Sequence, residues 1–304
     1  MAAFKNPSTS IAAPHGAQDG NDDGFQFAAA LPDEPVIRIR PGASWLSLDL
    51  KDVWAHRELL YQLIWRDLKV RYKQTVLGAA WVVLQPVSTT IIFTLFLTKM
   101  LHVPSANVPY PLFLYAGLLL WTFFSNAILG CAYSLVANTH VLTKVYFPRL
   151  LFPCAAIGVR LVDFIIASGV LVALMIYYGV PLTRSVLLMP LIIAEVTLLA
   201  LALGIGAAAL NVMYRDVGTV LPVLLQLWMF LSPIVYSLTV VPHQWQWLYR
   251  LNPVVGIVEC FRAALFGLEF NARDIIVSTF VTLALLVLSV HTFRRMEDSF
   301  ADVI

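Results

Sequence analysis

The chain of 304 residues is 60% hydrophobic and only 12% charged, with a mean hydropathy of +0.79 and a formal net charge of +2. Soluble domains carry roughly twice that share of charge, so the composition excludes an ordinary soluble enzyme, a disordered chain and a nucleic-acid binder. It places the chain among integral membrane proteins, and Cys131, Cys154 and Cys260 stand singly, without disulfide-framework or metal-ligand spacing.

Residues 1–50 read as a disordered or weakly ordered segment. Residues 1–24 are rich in Ala, Ser, Pro, Gly, Asn and Asp and lack periodicity, and no basic stretch leads into an apolar run as in a cleavable signal peptide. The alternation Val36-Ile37-Arg38-Ile39-Arg40 suits a short strand bounded by Pro35 and Pro41. Residues 51–76 contain a predicted amphipathic helix over 56–73. Tyr61, Trp65, Leu68 and Tyr72 recur on one face, which Leu60, Leu63 and Ile64 widen. Arg57, Arg66, Lys69, Arg71 and Lys73 outnumber Glu58 and Asp67. A basic, aromatic helix of this kind before a membrane span normally lies in the headgroup plane; a solvated helix packing on another domain is the alternative.

Six charge-poor apolar runs then predict an all-α integral membrane domain over 77–296, followed by a tail at 297–304. The spans fall at about 77–98, 112–136, 153–178, 185–210, 217–240 and 275–293. With the N-terminus cytoplasmic, fifteen of the twenty Lys and Arg residues lie on the inner side, so the positive-inside rule puts both termini in the cytoplasm. Between spans five and six, Trp245, Trp247 and Tyr249 form an interfacial cluster. Asn252-Pro253 then supplies a helix start and Gly267 a stop. The helix between them is about 20 Å long at 1.5 Å per residue, too short to cross. It either dips in and returns or lies on the outer surface, and a re-entrant course requires surrounding protein or a hydrated cavity.

No phosphate loop of the form G-x-x-x-x-G-K-[ST], no G-x-S-x-G and no H-E-x-x-H occurs, and the six histidines are dispersed. The chain therefore offers no catalytic constellation, no metal site and no nucleotide or other cofactor site of its own. Arg160 and Asp163, at i and i+3 in span three, suit either a mutual structural pair or a direct role in transport. Glu195, the acid in span four, suits pairing with another helix or a proton relay. Glu259 and Arg262 on the short outer helix serve equally as gate or brace. The stretch from Asn138 to Arg149 mixes aromatic and basic residues, fit for docking into a partner's pocket or for anchoring at the inner headgroups. Span aromatics, among them Trp81, Phe93, Tyr115, Trp121, Tyr133 and Tyr236, suit stacking against sugar rings or plain packing.

Several of these segments occur in one family's order: Arg66-Asp67-Leu68-Lys69-Val70-Arg71-Tyr72, Leu77-Gly78-Ala79-Ala80-Trp81, Leu84-Gln85-Pro86, Asn211-Val212-Met213-Tyr214-Arg215-Asp216, Phe230-Leu231-Ser232-Pro233 and Leu251-Asn252-Pro253 leading to Glu259 and Arg262. Over residues 50–296 the chain resembles the membrane (permease) subunit of polysaccharide-export ABC transporters, which move lipid-linked O-antigen, capsule or teichoic acid chains. The resemblance implies a homodimer working with two cytoplasmic ATPase subunits that hold ATP and Mg. Thr143, Lys144, Val145, Tyr146, Phe147 and Pro148 would form the ATPase-coupling loop. Arg215 and Asp216 would form the inner mouth, Asn252, Pro253, Glu259 and Arg262 the outer gate, and Trp65, Arg66, Lys69 and Arg71 would contact the lipid anchor or the interface. The cargo implied is an O-antigen-like chain on undecaprenyl diphosphate, crossing the bacterial inner membrane. A capsule or teichoic acid exporter of the same family, drug or haem exporters of the wider superfamily, a multi-span glycosyl- or acyltransferase, and a proton-coupled transporter resting on Glu195 are the alternatives.

Overall fold

The structure is a computed structural model that describes residues 54–73, 78, 80–100, 108–142, 148–297 and 300. The expectations for residues 1–50 and for Thr143–Phe147 lie outside the described residues. Among the described residues every regular element is helical. In chain order the helices of eight residues or more are α1 (Arg57–Lys73), α2 (Ala80–Met100), α3 (Tyr110–Ala137), α4 (Leu151–Tyr177), α5 (Met189–Met213), α6 (Asp216–Phe230), α7 (His243–Arg250), α8 (Pro253–Phe266) and α9 (Ala272–Glu297).

Among the described residues, four stretches are long and apolar enough to cross a membrane: α3, α4, α5 with its preceding 3-10 turn from Arg184, and α9. Two shorter apolar helices, Ala80–Phe96 within α2 and α6, accompany them. Helix α3 is the hub and touches α2, α4, α5, α6 and α8. Lipid tails are as apolar as leucine, so helices in a membrane associate through close packing rather than through escape from water. Gly204 of α5 illustrates this, since a Cβ there would stand 2.7 Å from the Cβ of Cys131 on α3.

The fifth predicted span is shorter than expected. Its helix, α6, ends at Phe230, ten residues before the predicted limit, and the chain continues in turns through Ser237. Pro233 has no N–H to continue a helical ladder, and the carbonyls of Pro233 and Ile234 accept hydrogen bonds from Arg262 instead. Helix α1 also packs differently from the predicted face. Leu63 is buried in an apolar cluster with Leu135, Leu151 and Phe152, and Leu59, Leu60 and Ile64 pack against that cluster. Tyr61 and Trp65 remain exposed. The docking is close: a Cβ at Gly158 of α4 would come within 2.5 Å of Ile64 Cδ1.

Helix α8 has the predicted limits. Asn252 Oδ1 accepts from the Val254 N–H at 3.1 Å, Pro253 occupies the first turn, and Gly267 at φ +67° ends the helix. All its residues except Glu259 and Phe266 are buried, against α3, α5 and α9. Gly256 permits its close approach to α9, where Ser278 Oγ donates to the Pro253 carbonyl.

Candidate functional site: a charged cavity and a buried arginine

Two polar centres stand out within the apolar bundle. The first lies where the end of α1 meets α4. Asp163 pairs with Arg160 at 3.3 Å, as the i,i+3 spacing predicts, and also with Arg71 at 3.2 Å. The Tyr72 hydroxyl donates to the other carboxylate oxygen, Oδ1. Burial first, and then the bond to Asp163, push the Tyr72 phenol above its usual range, so the hydroxyl keeps its proton and acts as a donor. Tyr72 and Arg71 lie some ninety residues from Asp163 along the chain. No local spacing could reveal that partnership.

This charged corner opens into a cavity of about 450 Å3 bounded by α1, α2, α3 and α4. Arg71, Arg160 and Asp163 share its lining with the neutral polar residues Gln85, Ser88, Thr89, Thr122 and Asn126 and with Trp81. Pro86 interrupts the ladder of α2 at this wall. The hydroxyls of Thr89 and Thr90 donate to the carbonyls of Gln85 and Pro86 at 2.9 and 2.7 Å. Arg160 lies along α3 at Gly130, where a Cβ would stand in ordinary contact with its Nε at 3.5 Å.

The second centre is Arg262 on α8, which has no exposed surface. It donates to the carbonyls of Pro233 at 2.8 Å and Ile234 at 2.6 Å, pairs with Glu259 at 3.4 Å and stacks 3.6 Å from the centre of the Phe113 ring. Asn252 Nδ2 reinforces the same break by donating to Ser232 Oγ at 2.9 Å. Glu195 on α5 is buried beside Thr279 and Thr282 of α9, and among the described residues no ion pair joins it.

The other predicted site residues are distributed as follows. Of the coupling loop only Pro148 is described, and it is half-buried. Both flanks of that loop are tied to other helices. Arg66 of α1 donates to Asn138 Oδ1 at 2.7 Å, and Arg149 donates to the Glu297 carbonyl at the end of α9. Trp65 is exposed with the Lys69 ammonium 5.2 Å from its ring. Arg215 and Asp216 are exposed at the corner between α5 and α6. Beside that corner the Tyr133 hydroxyl donates to the Gly218 carbonyl at 2.6 Å and Asn211 donates to the Ala132 carbonyl at 2.8 Å.

The predicted aromatics divide by environment. Trp81 and Tyr133 are exposed, while Phe93 and Tyr236 are half-buried. Tyr115 is fully buried and donates to the Ala167 carbonyl at 2.9 Å; Trp121 is buried against Phe124 and Trp228.

A family model described as ABC-2 type transporter matches residues 58–266. The chain is 29% identical over 259 residues to an O-antigen export system permease protein, RfbA, of Myxococcus xanthus, covering 84% of this chain and 98% of that one. A Klebsiella pneumoniae RfbA is 26% identical over 248 residues, 81% of this chain and 95% of its own length. The polysialic acid transport protein KpsM of Escherichia coli is 27% identical over 246 residues, with 73% of this chain and 90% of KpsM covered.

Proposed function

From a chain that belongs to the ABC-2 type transporter family, we propose the permease subunit of an ATP-driven exporter that carries an O-antigen-like, lipid-linked polysaccharide across the bacterial inner membrane. The observation that carries this reading is the near end-to-end likeness to O-antigen export permeases. Likeness to KpsM keeps a capsule polymer as the second cargo.

In this reading α2 and α6 complete six crossings with the four long spans, and both termini face the cytoplasm. Two copies pair to enclose the path, and two separate cytoplasmic subunits bind ATP and Mg, because this chain has no phosphate loop. ATP-driven closure of those subunits pushes on residues 143–148. The ties from Asn138 to α1 and from Arg149 to the end of α9 support this, since they link each flank of the loop to a different helix. Movement there would reach the α1–α4 corner directly. On the outer side, α8 with Glu259 and Arg262 acts as the gate element. Exposed aromatics such as Trp81 and Tyr133 offer flat apolar faces to sugar rings, and Arg66, Lys69 and Arg71 face the anchor's diphosphate at the inner interface.

Affinity purification of this chain from its native membrane tests the reading. An ATPase subunit carrying the phosphate loop is expected to co-purify, and glycan export is expected to stop when its ATP site is disabled. A chain that purifies alone and transports unaided would sink it.

A further inference from the structure

The cavity between α1 and α4 has the size of a small-ligand site, which typically spans roughly 300–1,000 Å3. Its charges are unevenly matched. Arg71 and Arg160 both reach the same oxygen, Asp163 Oδ2, each through one nitrogen, at 3.2 and 3.3 Å. Tight charge-assisted bonds run about 2.7–2.9 Å and arginine–carboxylate pairs are frequently bidentate. Asp163 Oδ1 is meanwhile taken by Tyr72. Two planar five-donor forks thus share one acceptor atom beside open space, with one net positive charge. A guanidinium fork matches the geometry of a phosphate.

We infer that this cavity binds the phosphate-bearing headgroup of a glycan lipid, with Arg71 and Arg160 on the phosphate and Asp163 as a resident counter-ion that the phosphate displaces. Gln85, Ser88, Thr89 and Asn126 then face the first sugar's hydroxyls, and Trp81, 56% exposed, offers its ring face. The site is more enclosed than the exposed Arg66 and Lys69 on the same helix. It also has a mechanical consequence. The Arg71–Asp163 pair joins α1 to α4, so phosphate in the cavity releases one of the ties of α1, while Ile64 stays packed on Gly158. The ligand's class rests on the exporter reading; the competition between phosphate and Asp163 rests on the geometry.

The test uses the full chain in phosphatidylcholine nanodiscs, titrated with a short polyprenyl diphosphate bearing one sugar. Arg71→Gln combined with Arg160→Gln is expected to weaken binding about ten-fold or more, and the Arg→Lys pair, which keeps the charge, to recover much of that loss. Asp163→Asn is expected to tighten binding, because the competing charge is gone while Tyr72 retains an acceptor. Weakening by Asp163→Asn, or unchanged binding by the Arg→Gln pair, would overturn the inference. So would equal competition by phosphatidylglycerol, which would mark an ordinary anionic-lipid site. Co-purification of an ATPase is followed in the same preparations. Its absence from the unmodified chain counts against the exporter reading, whereas its presence alongside unchanged binding by the Arg→Gln pair counts against the cavity alone.

Discussion

Arg160 precedes Asp163 on α4 and Arg262 follows Glu259 on α8, so both pairs have i,i+3 spacing and nearly equal separations of 3.3 and 3.4 Å. Their surroundings differ. Arg262 is wholly buried, bonded to two backbone carbonyls and stacked on Phe113, and its partner Glu259 is the more exposed member. Arg160 and Asp163 border a cavity and share their charge with Arg71 and Tyr72 from another helix. A buried cation whose two terminal nitrogens are held by backbone carbonyls and a carboxylate, and whose plane lies on a ring, acts as a brace even though its Nε has no acceptor among the described residues. One that shares a single oxygen beside open space can exchange its partner. Spacing is the same in both; commitment of the donors separates them.

The largest effect that follows from this contrast is at Arg262. Arg262→Met removes both donors to the break after α6 and leaves the Pro233 and Ile234 carbonyls without them, a loss of about 3–5 kcal/mol. Thermal unfolding in detergent should show it, together with reduced accumulation in the membrane; a variant as stable as the parent would remove the brace. Next comes Gly117→Ala, whose Cβ would stand 2.4 Å from Arg262 Nη2 and 2.8 Å from the Ile234 carbonyl oxygen. Because that oxygen belongs to the backbone, the neighbours cannot simply swing away, and a cost of about 1–3 kcal/mol is expected by the same measurement. At the other pair, Asp163→Asn should cost less, about 1–2 kcal/mol: Asp163 is buried, but asparagine keeps an acceptor for Tyr72 and both arginines are partly exposed and can turn to the cavity. If it proved as damaging as Arg262→Met, the two centres would not differ in kind. Smallest is Glu195→Gln, which keeps the shape beside Thr279 and Thr282. Export assayed in cells should change only modestly under the ATP-driven reading, whereas complete loss would favour proton coupling.

Local chemistry was readable in advance wherever the cause was local. Asn252, Pro253 and Gly267 mark the limits of α8 because a cap, a fixed φ and a left-handed stop each act within a turn. The Arg160–Asp163 and Glu259–Arg262 pairs follow from helical spacing. The packed side of α1 was not readable, because the helix has apolar residues on two faces. Packing decides it: Ile64 seats against Gly158 of α4 and Leu63 enters an apolar cluster with Leu151 and Phe152, while Tyr61 and Trp65 stay out. The early end of α6 had a visible proline but no visible reason for the turn to persist, and that reason is an arginine on α8.

Composition and apolar run length determined by themselves that this is a helical membrane protein, since the bilayer sets the length of its spans. Tertiary structure decided which charges are committed and which are shared. The burial of Arg262 and the meeting of Arg71, Tyr72, Arg160 and Asp163 at one cavity depend on contacts between helices far apart in the chain, and periodicity within a single helix carries no information about those contacts.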